Sequence, residues 1–140
     1  MSIRTLKVTT NGQGLHDITL ELKQALKQLL AKQPIDEGLC TLFIQHTSAS
    51  LMIQENYDPS ARVDLENWLT RLVPEQDPIY THTLEGPDDM PAHIKAALTP
   101  SSLSIPVVAG QLALGTWQGV FVWEHRHGRQ CRTVVVHVAA

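Results

Sequence analysis

Cysteine is scarce: the 140 residues hold two, Cys40 and Cys131, far apart and without Cys-x-x-Cys spacing. That excludes a disulfide-dense scaffold and a four-cysteine zinc module, and both thiols read as small buried hydrophobes. An excess of either charge is also missing. A formal net charge of -3 leaves no electrostatic footprint for nucleic acid or an anionic membrane surface. No apolar run approaches the length of a membrane span, and the opening Met-Ser-Ile-Arg-Thr-Leu-Lys has no apolar signal core. A soluble, cytoplasmic protein is the expectation. Walker loop, dinucleotide glycine fingerprint and nucleophile elbow are absent, as are internal repeats and linkers.

What is present suits one domain over residues 1–140, with 43% hydrophobic and 18% charged residues and enough length to bury a core. Ile3–Thr10 reads as a strand ending at Asn11-Gly12-Gln13-Gly14. From Leu15 to Lys32 the apolar residues recur at helical spacing. Gly38–Thr47 and 48–55 read as a strand and its return. Asp58-Pro59 suits the start of a second helix, with Ala61, Leu65, Trp68, Leu69 and Leu72 as its core stripe. A long loop follows Pro74, then a short helix over Pro91–Leu98. Strands over Leu103–Val107, Leu112–Glu124 and up to Val138 complete an α+β pattern.

Candidate chemistry gathers at strand ends. In Leu112–Glu124, alternation puts Gln118, Val120, Val122 and Glu124 on one face and Trp117, Gly119, Phe121 and Trp123 on the other. A buried Glu124 would have a raised pKa suited to general acid/base work; a strand-end carboxylate in water is the bland alternative. Glu55 and Asn56, closing the strand that returns from His46, are placed to reach the same region, and Asp64 sits beside the stripe of the second helix. His46, His82 and His93, drawn from a strand, a loop and a helix, fit a three-histidine metal site with an open position, or three unrelated histidines. Ser48, Ser50, Ser101 and Ser102 can donate to a phosphate, or to turn backbone as serines more often do. His125 and His127, flanking Arg126 at a hairpin tip, read as solvated.

Several blocks together carry a resemblance. They are His46-Thr-Ser-Ala-Ser-Leu, Glu55-Asn-Tyr-Asp-Pro-Ser with Asp64-Leu-Glu, and His82 ahead of Glu85-Gly-Pro-Asp-Asp-Met-Pro-Ala-His93-Ile-Lys. Ser101-Ser-Leu-Ser-Ile-Pro and Gly110-Gln-Leu-Ala-Leu-Gly-Thr-Trp-Gln-Gly through to Glu124 complete the set. In this order they resemble the YjbQ family of small bacterial and archaeal proteins, described as secondary thiamine-phosphate synthase-like. The resemblance implies a β-sandwich-like domain of mixed sheets with two main helices and one short helix, assembled as a homotrimer. It implies a divalent metal ion, zinc above others, on His46, His82 and His93. Glu124, Glu55, Asn56, Gln118 and Asp64 then become candidates for catalysis, and the four serines for contact with a small phosphorylated metabolite. The implied reaction condenses hydroxymethylpyrimidine diphosphate with thiazole phosphate, possible as a side activity. A metabolite-binding or trimeric assembly protein without catalysis, and a metal-dependent phosphoester hydrolase, remain the alternatives.

Overall fold

The computed structural model describes residues 3–140; Met1 and Ser2, which open the segment considered as a leader, lie outside them. Eight strands and three helices follow in the order β1 (Ile3–Asn11), β2 (Gly14–Asp17), α1 (Thr19–Lys32), β3 (Glu37–Ile44), β4 (Ala49–Glu55), α2 (Pro59–Leu72), α3 (Asp89–Leu98), β5 (Ser102–Val108), β6 (Gln111–Leu112), β7 (Gln118–Glu124) and β8 (Arg129–Ala139). They build two sheets, ordered β1-β8-β3-β5-β6 and β2-β7-β4. Every strand pairing among the described residues is antiparallel. This is the expected α+β architecture. No helix among the described residues is long and apolar enough to cross a membrane.

Three sequence expectations shift for local reasons. The first helix begins at Thr19 rather than Leu15, because Leu15–Asp17 pairs with β7 as a short strand. The Asp17 carboxylate accepts from Thr19 N at 2.8 Å and from its hydroxyl, and Thr19 Oγ1 accepts in turn from Val120 N at 2.9 Å. That pins the helix start to the sheet. The second helix begins as expected, with Asp58 accepting from Ser60 N at 2.9 Å and Pro59 in the first turn. Its stripe is narrower than its periodicity suggests: Leu69 is buried, whereas Trp68 and Leu72 are each about half exposed. The last of the three is the long run to Glu124, of which the strand proper is Gln118–Glu124. Cys40 is buried as expected, but Cys131 is exposed.

β7 is the hinge of the packing, because both of its faces are covered. Val120 and Val122 meet Leu22, Leu26, Leu42, Ile44 and Val136 between α1 and the two sheets. Phe121 and Trp123, on the other face, pack with Leu15, Leu69 and Val73 beneath α2. Each fully buried aliphatic here stabilises by roughly 1.5–3 kcal/mol. A strand so enclosed has one place to present polar groups, its end, and Glu124 is there.

Candidate functional site

The antiparallel register decides which candidates can meet. Ala49 pairs with Glu124, while Glu55 pairs with Gln118 at the opposite end of the same strand pair. Seven residues of strand separate the two ends by about 20 Å. The expectation that Glu55, Asn56 and Gln118 join Glu124 is therefore corrected: β4 carries them away from it. Gln118 Oε1 accepts from Gly115 N at 2.8 Å, and Asn56 N donates to the Trp117 carbonyl at 3.0 Å, so both serve the local turn. Asp64, beside the stripe of the second helix in sequence, is exposed on α2.

At the other end, Glu124 is fully buried, as one of its two sequence readings requires. Its surroundings reverse the expected titration. Oε1 accepts from Thr10 Oγ1 at 2.6 Å and Arg132 Nε at 2.7 Å; Oε2 accepts from Arg132 Nη2 and from the backbone N–H groups of His125 and Arg126, each at 3.1 Å. Burial acts to raise its pKa, but the Arg132 and Thr10 hydrogen bonds, the Arg126 amide and the Arg132 charge outweigh it and hold the carboxyl below its usual value. A carboxylate so fully engaged positions its neighbours and is a poor proton shuttle.

Arg132 links Glu124 to the β3–β4 loop. Its Nη2 also donates to Ser48 O at 3.2 Å and Ser48 Oγ at 3.0 Å, and Nη1 lies 3.3 Å from His46 Nδ1. His46 Nε2 accepts from Thr133 N at 2.8 Å. Burial first, then the Arg132 charge, lowers the His46 pKa and keeps the ring neutral. The lone pair a metal would need is already taken by a backbone amide. His46 is thus removed from the ligand set.

The side chains that the structure does bring together, and that could hold a metal ion, are His82, Asp89 and His93, with one donor atom from each lying within 4.8 Å of the others. α3 starts at Asp89, so Asp89 and His93 stand one turn apart on one face. His82 Nε2 lies 2.7 Å and His93 Nε2 3.1 Å from the same oxygen, Asp89 Oδ2. His93 Nδ1 faces the Thr47 carbonyl at 3.0 Å. A neutral imidazole has one N–H, yet the two nitrogens of His93 face two acceptors. A positive charge between Nε2 and the carboxylate, a proton or a metal cation, resolves this. Fixing Nδ1–H on a backbone carbonyl is also how proteins orient a metal-ligating histidine.

Beneath these three side chains lies an ion-pair brace. Arg126 donates to Asp88 Oδ2 at 2.9 Å, to Asp89 Oδ1 at 2.8 Å and to the Glu85 carbonyl at 2.9 Å, and His127 N donates to Asp88 Oδ2 at 2.8 Å. Burial acts to raise the pKa of Asp88 and of Asp89. For Asp88 the Arg126 and His127 hydrogen bonds prevail; for Asp89 the His82 hydrogen bond and the His93 and Arg126 charges do, so both stay ionised. His82 and His93 keep 47% and 30% of their side chains open to solvent, so the cluster can be reached from outside. Next to the loop, His46, Thr47, Ser48 and Ser101 line an open cleft of about 540 Å³. Of the other serines, Ser50 is buried inward and Ser102 is exposed on β5.

His125 overturns its solvated reading: it is 1% exposed, and its Nε2 lies 2.9 Å from Ser50 Oγ. Burial, then the nearby Lys95 and Arg132 charges, pushes its pKa down to about 3. Unfolded, it titrates near 6.5, so between pH 6.5 and 3 the unfolded chain binds the extra proton and acid costs stability. In His125→Gln, the pH slope of unfolding free energy across the middle of that window should flatten by about 1.4 kcal/mol per pH unit. An unchanged slope in urea titrations at about pH 4.5–6 would show that His125 is not held neutral.

Sequence reasoning missed Asp89, Arg126, Arg132, Thr10 and His125. Two of these left a trace: Asp89 stands four residues before His93, and Arg132 shares an apolar strand face with Val134, Val136 and Val138.

The family model described as "UPF0047 protein YjbQ-like" matches residues 4–140. A UPF0047 protein of Synechocystis is 48% identical over 96% of this chain and 88% of its own length. The UPF0047 protein YjbQ of Escherichia coli O157:H7 is 42% identical over 94% of this chain and 93% of its own. Among solved structures, a conserved hypothetical protein from Thermus thermophilus superposes with a TM-score of 0.83 at 34% identity, covering 97% of this chain and 99% of that one. A hypothetical protein from Aeropyrum pernix gives 0.87 at 25% identity, covering 100% and 99%.

Proposed function

This chain belongs to the YjbQ-like UPF0047 family, and from that premise we propose that it is a cytoplasmic, metal-dependent enzyme acting on a small phosphorylated metabolite. The observation that carries the reading is the convergence of His82, Asp89 and His93 on one point, with His93 oriented from behind by the Thr47 carbonyl. Two imidazoles and one carboxylate suit zinc or a similar divalent ion and leave positions for a substrate. Such an ion would draw charge from a phosphate oxygen and ease loss of a phosphorylated leaving group. Arg126 holds Asp89 in place, and the cleft of His46, Thr47, Ser48 and Ser101 offers donors for a phosphate beside it.

The reaction we favour is the one the resemblance implies. The thiazole nitrogen attacks the pyrimidine methylene carbon, the new C–N bond replaces the C–O bond, and pyrophosphate leaves with the electron pair. Exposed Leu39, Phe43 and Val108 on the outer face of the larger sheet support an assembled form, a homotrimer in this reading.

The test is metal analysis of protein purified without added metal, followed by assay of pyrophosphate release. We expect about one divalent ion per chain and release that requires both substrates. Water-dependent phosphate release without the thiazole would favour the hydrolase. Failure to hold or load any metal would favour a binding or assembly protein.

A further inference from the structure

The long connection between α2 and α3 has no helix or strand of its own, and three contacts hold its shape. Tyr80 Oη donates to the Pro74 carbonyl at 2.9 Å, Asp77 Oδ1 accepts from Ile79 N at 3.1 Å, and Arg126 Nη2 donates to the Glu85 carbonyl at 2.9 Å. A connection of this length held in one shape is more often a binding loop than a spacer. It encloses a cavity of about 480 Å³, a size suited to a small molecule, and His82 forms part of the wall.

The His82–Asp89–His93 cluster stands between this cavity and the cleft described above. Thr47, whose carbonyl faces His93 Nδ1, lines the cleft, whereas His82 lines the loop cavity. The two imidazole rings are 5.3 Å apart. The two hollows differ in chemistry. The cleft offers the hydroxyls of Thr47, Ser48 and Ser101. The loop cavity has no lysine or arginine in its wall and carries one carboxylate, Asp77, so it repels a phosphate. Pro78, Tyr80, His82, Pro87 and Met90 give it flat or polarisable surface, the kind that packs against the face of a ring. Asp77 Oδ2 has no hydrogen-bond partner among the described residues, and a free carboxylate oxygen is best satisfied by an N–H group.

We propose that the loop cavity binds a single planar ring carrying an amino group, its faces against Tyr80 and the two prolines and its N–H donated to Asp77 Oδ2. An aminopyrimidine is a ring of this kind. Set beside the cluster, the ring belongs to the same molecule as the phosphate in the cleft, with the bond that breaks lying between them. That role as substrate rests on the metal-dependent reading of the cluster. Binding of the ring does not, because none of the contacts invoked needs an ion.

The test is a titration of the full chain as purified with 4-aminopyrimidine, followed through the Met90 methyl and Tyr80 ring proton resonances. Saturable shifts of both are expected, with an affinity on the order of millimolar for so small a ligand. Pyrimidine, the same ring without the amino group, should bind about tenfold more weakly. In Asp77→Asn, which keeps an acceptor for Ile79 N, that preference should disappear. Tyr80→Leu should weaken both rings by about fivefold or more. His93→Ala breaks the cluster and leaves the loop cavity whole, so 4-aminopyrimidine should bind it as it binds the wild type. Ring binding in protein that cannot hold a metal would therefore support the cavity while removing its place in the enzyme. No saturable shift of Met90 and Tyr80, equal affinity for the two rings, or a preference retained in Asp77→Asn would overturn the proposal, whatever the metal analysis returns.

Discussion

Arg132→Met should destabilise the protein by about 3–5 kcal/mol in equilibrium denaturation at neutral pH. Glu124 is fully buried, and Arg132 supplies its Nε and Nη2 donors and its only opposite charge at contact distance among the described residues. Removing the guanidinium strands a carboxylate in a place that water does not reach, and also frees Ser48 and His46. The loss should depend on pH in a definite direction. In the wild type the Glu124 pKa is depressed, so its contribution is present above the ordinary carboxylate range and is lost as pH falls through the folded value. In the variant the unpaired carboxyl has a raised pKa, and acid neutralises it. The gap between the two proteins should therefore narrow on acidification. The double variant Glu124→Leu with Arg132→Met should recover most of the loss, because a buried ion pair replaced by apolar groups costs little. A gap that stays constant from about pH 7 to about pH 4, or a double variant as weak as the single one, would count against this account.

The second large effect concerns metal. Asp89→Asn should lower divalent-ion affinity by about 100-fold or more, taking the bound metal of protein purified without supplementation close to zero. The substitution keeps shape and removes the charge against which both histidines are held. His82→Ala and His93→Ala should do the same. His46→Ala should retain the metal and instead lose stability, since its ring accepts the Thr133 amide and adjoins Arg132. Measured metal content in the four variants separates the two ligand sets directly: loss in His46→Ala would restore the three-histidine site suggested by the sequence.

That contrast shows what the chain reveals in one dimension. Element types are legible because their periods are local: α1, the Asp58-Pro59 start of α2 and the β7 alternation all follow from spacing. His82 and His93 are legible as ligand types. Which residues meet is not, because it depends on register. The pairing of Ala49 with Glu124 brings Ser48 to the site and sends Glu55 away, and no residue in either strand announces it. Asp89 stands in the first turn of α3, where an acid suits the helix end for its own sake, and that role masks its one-turn spacing from His93. Arg132 and Glu124 each look like an exception on an apolar strand; only their contact across the β7–β8 hairpin explains both.

The order of strands in the larger sheet governs how the chain reaches its native state. β8 lies between β1 and β3, so neither of these earlier strands can find its inner neighbour until the last strand has been made. Ile3 waits for His137, and Thr41 waits for the same residue from the other side. Closing loops of this span before their contacts reward it places folding among the slow, non-local topologies, with times on the order of milliseconds to seconds. During synthesis β3 stands with an unpaired edge, and a chain stalled before residue 129 would expose it to pairing with another chain.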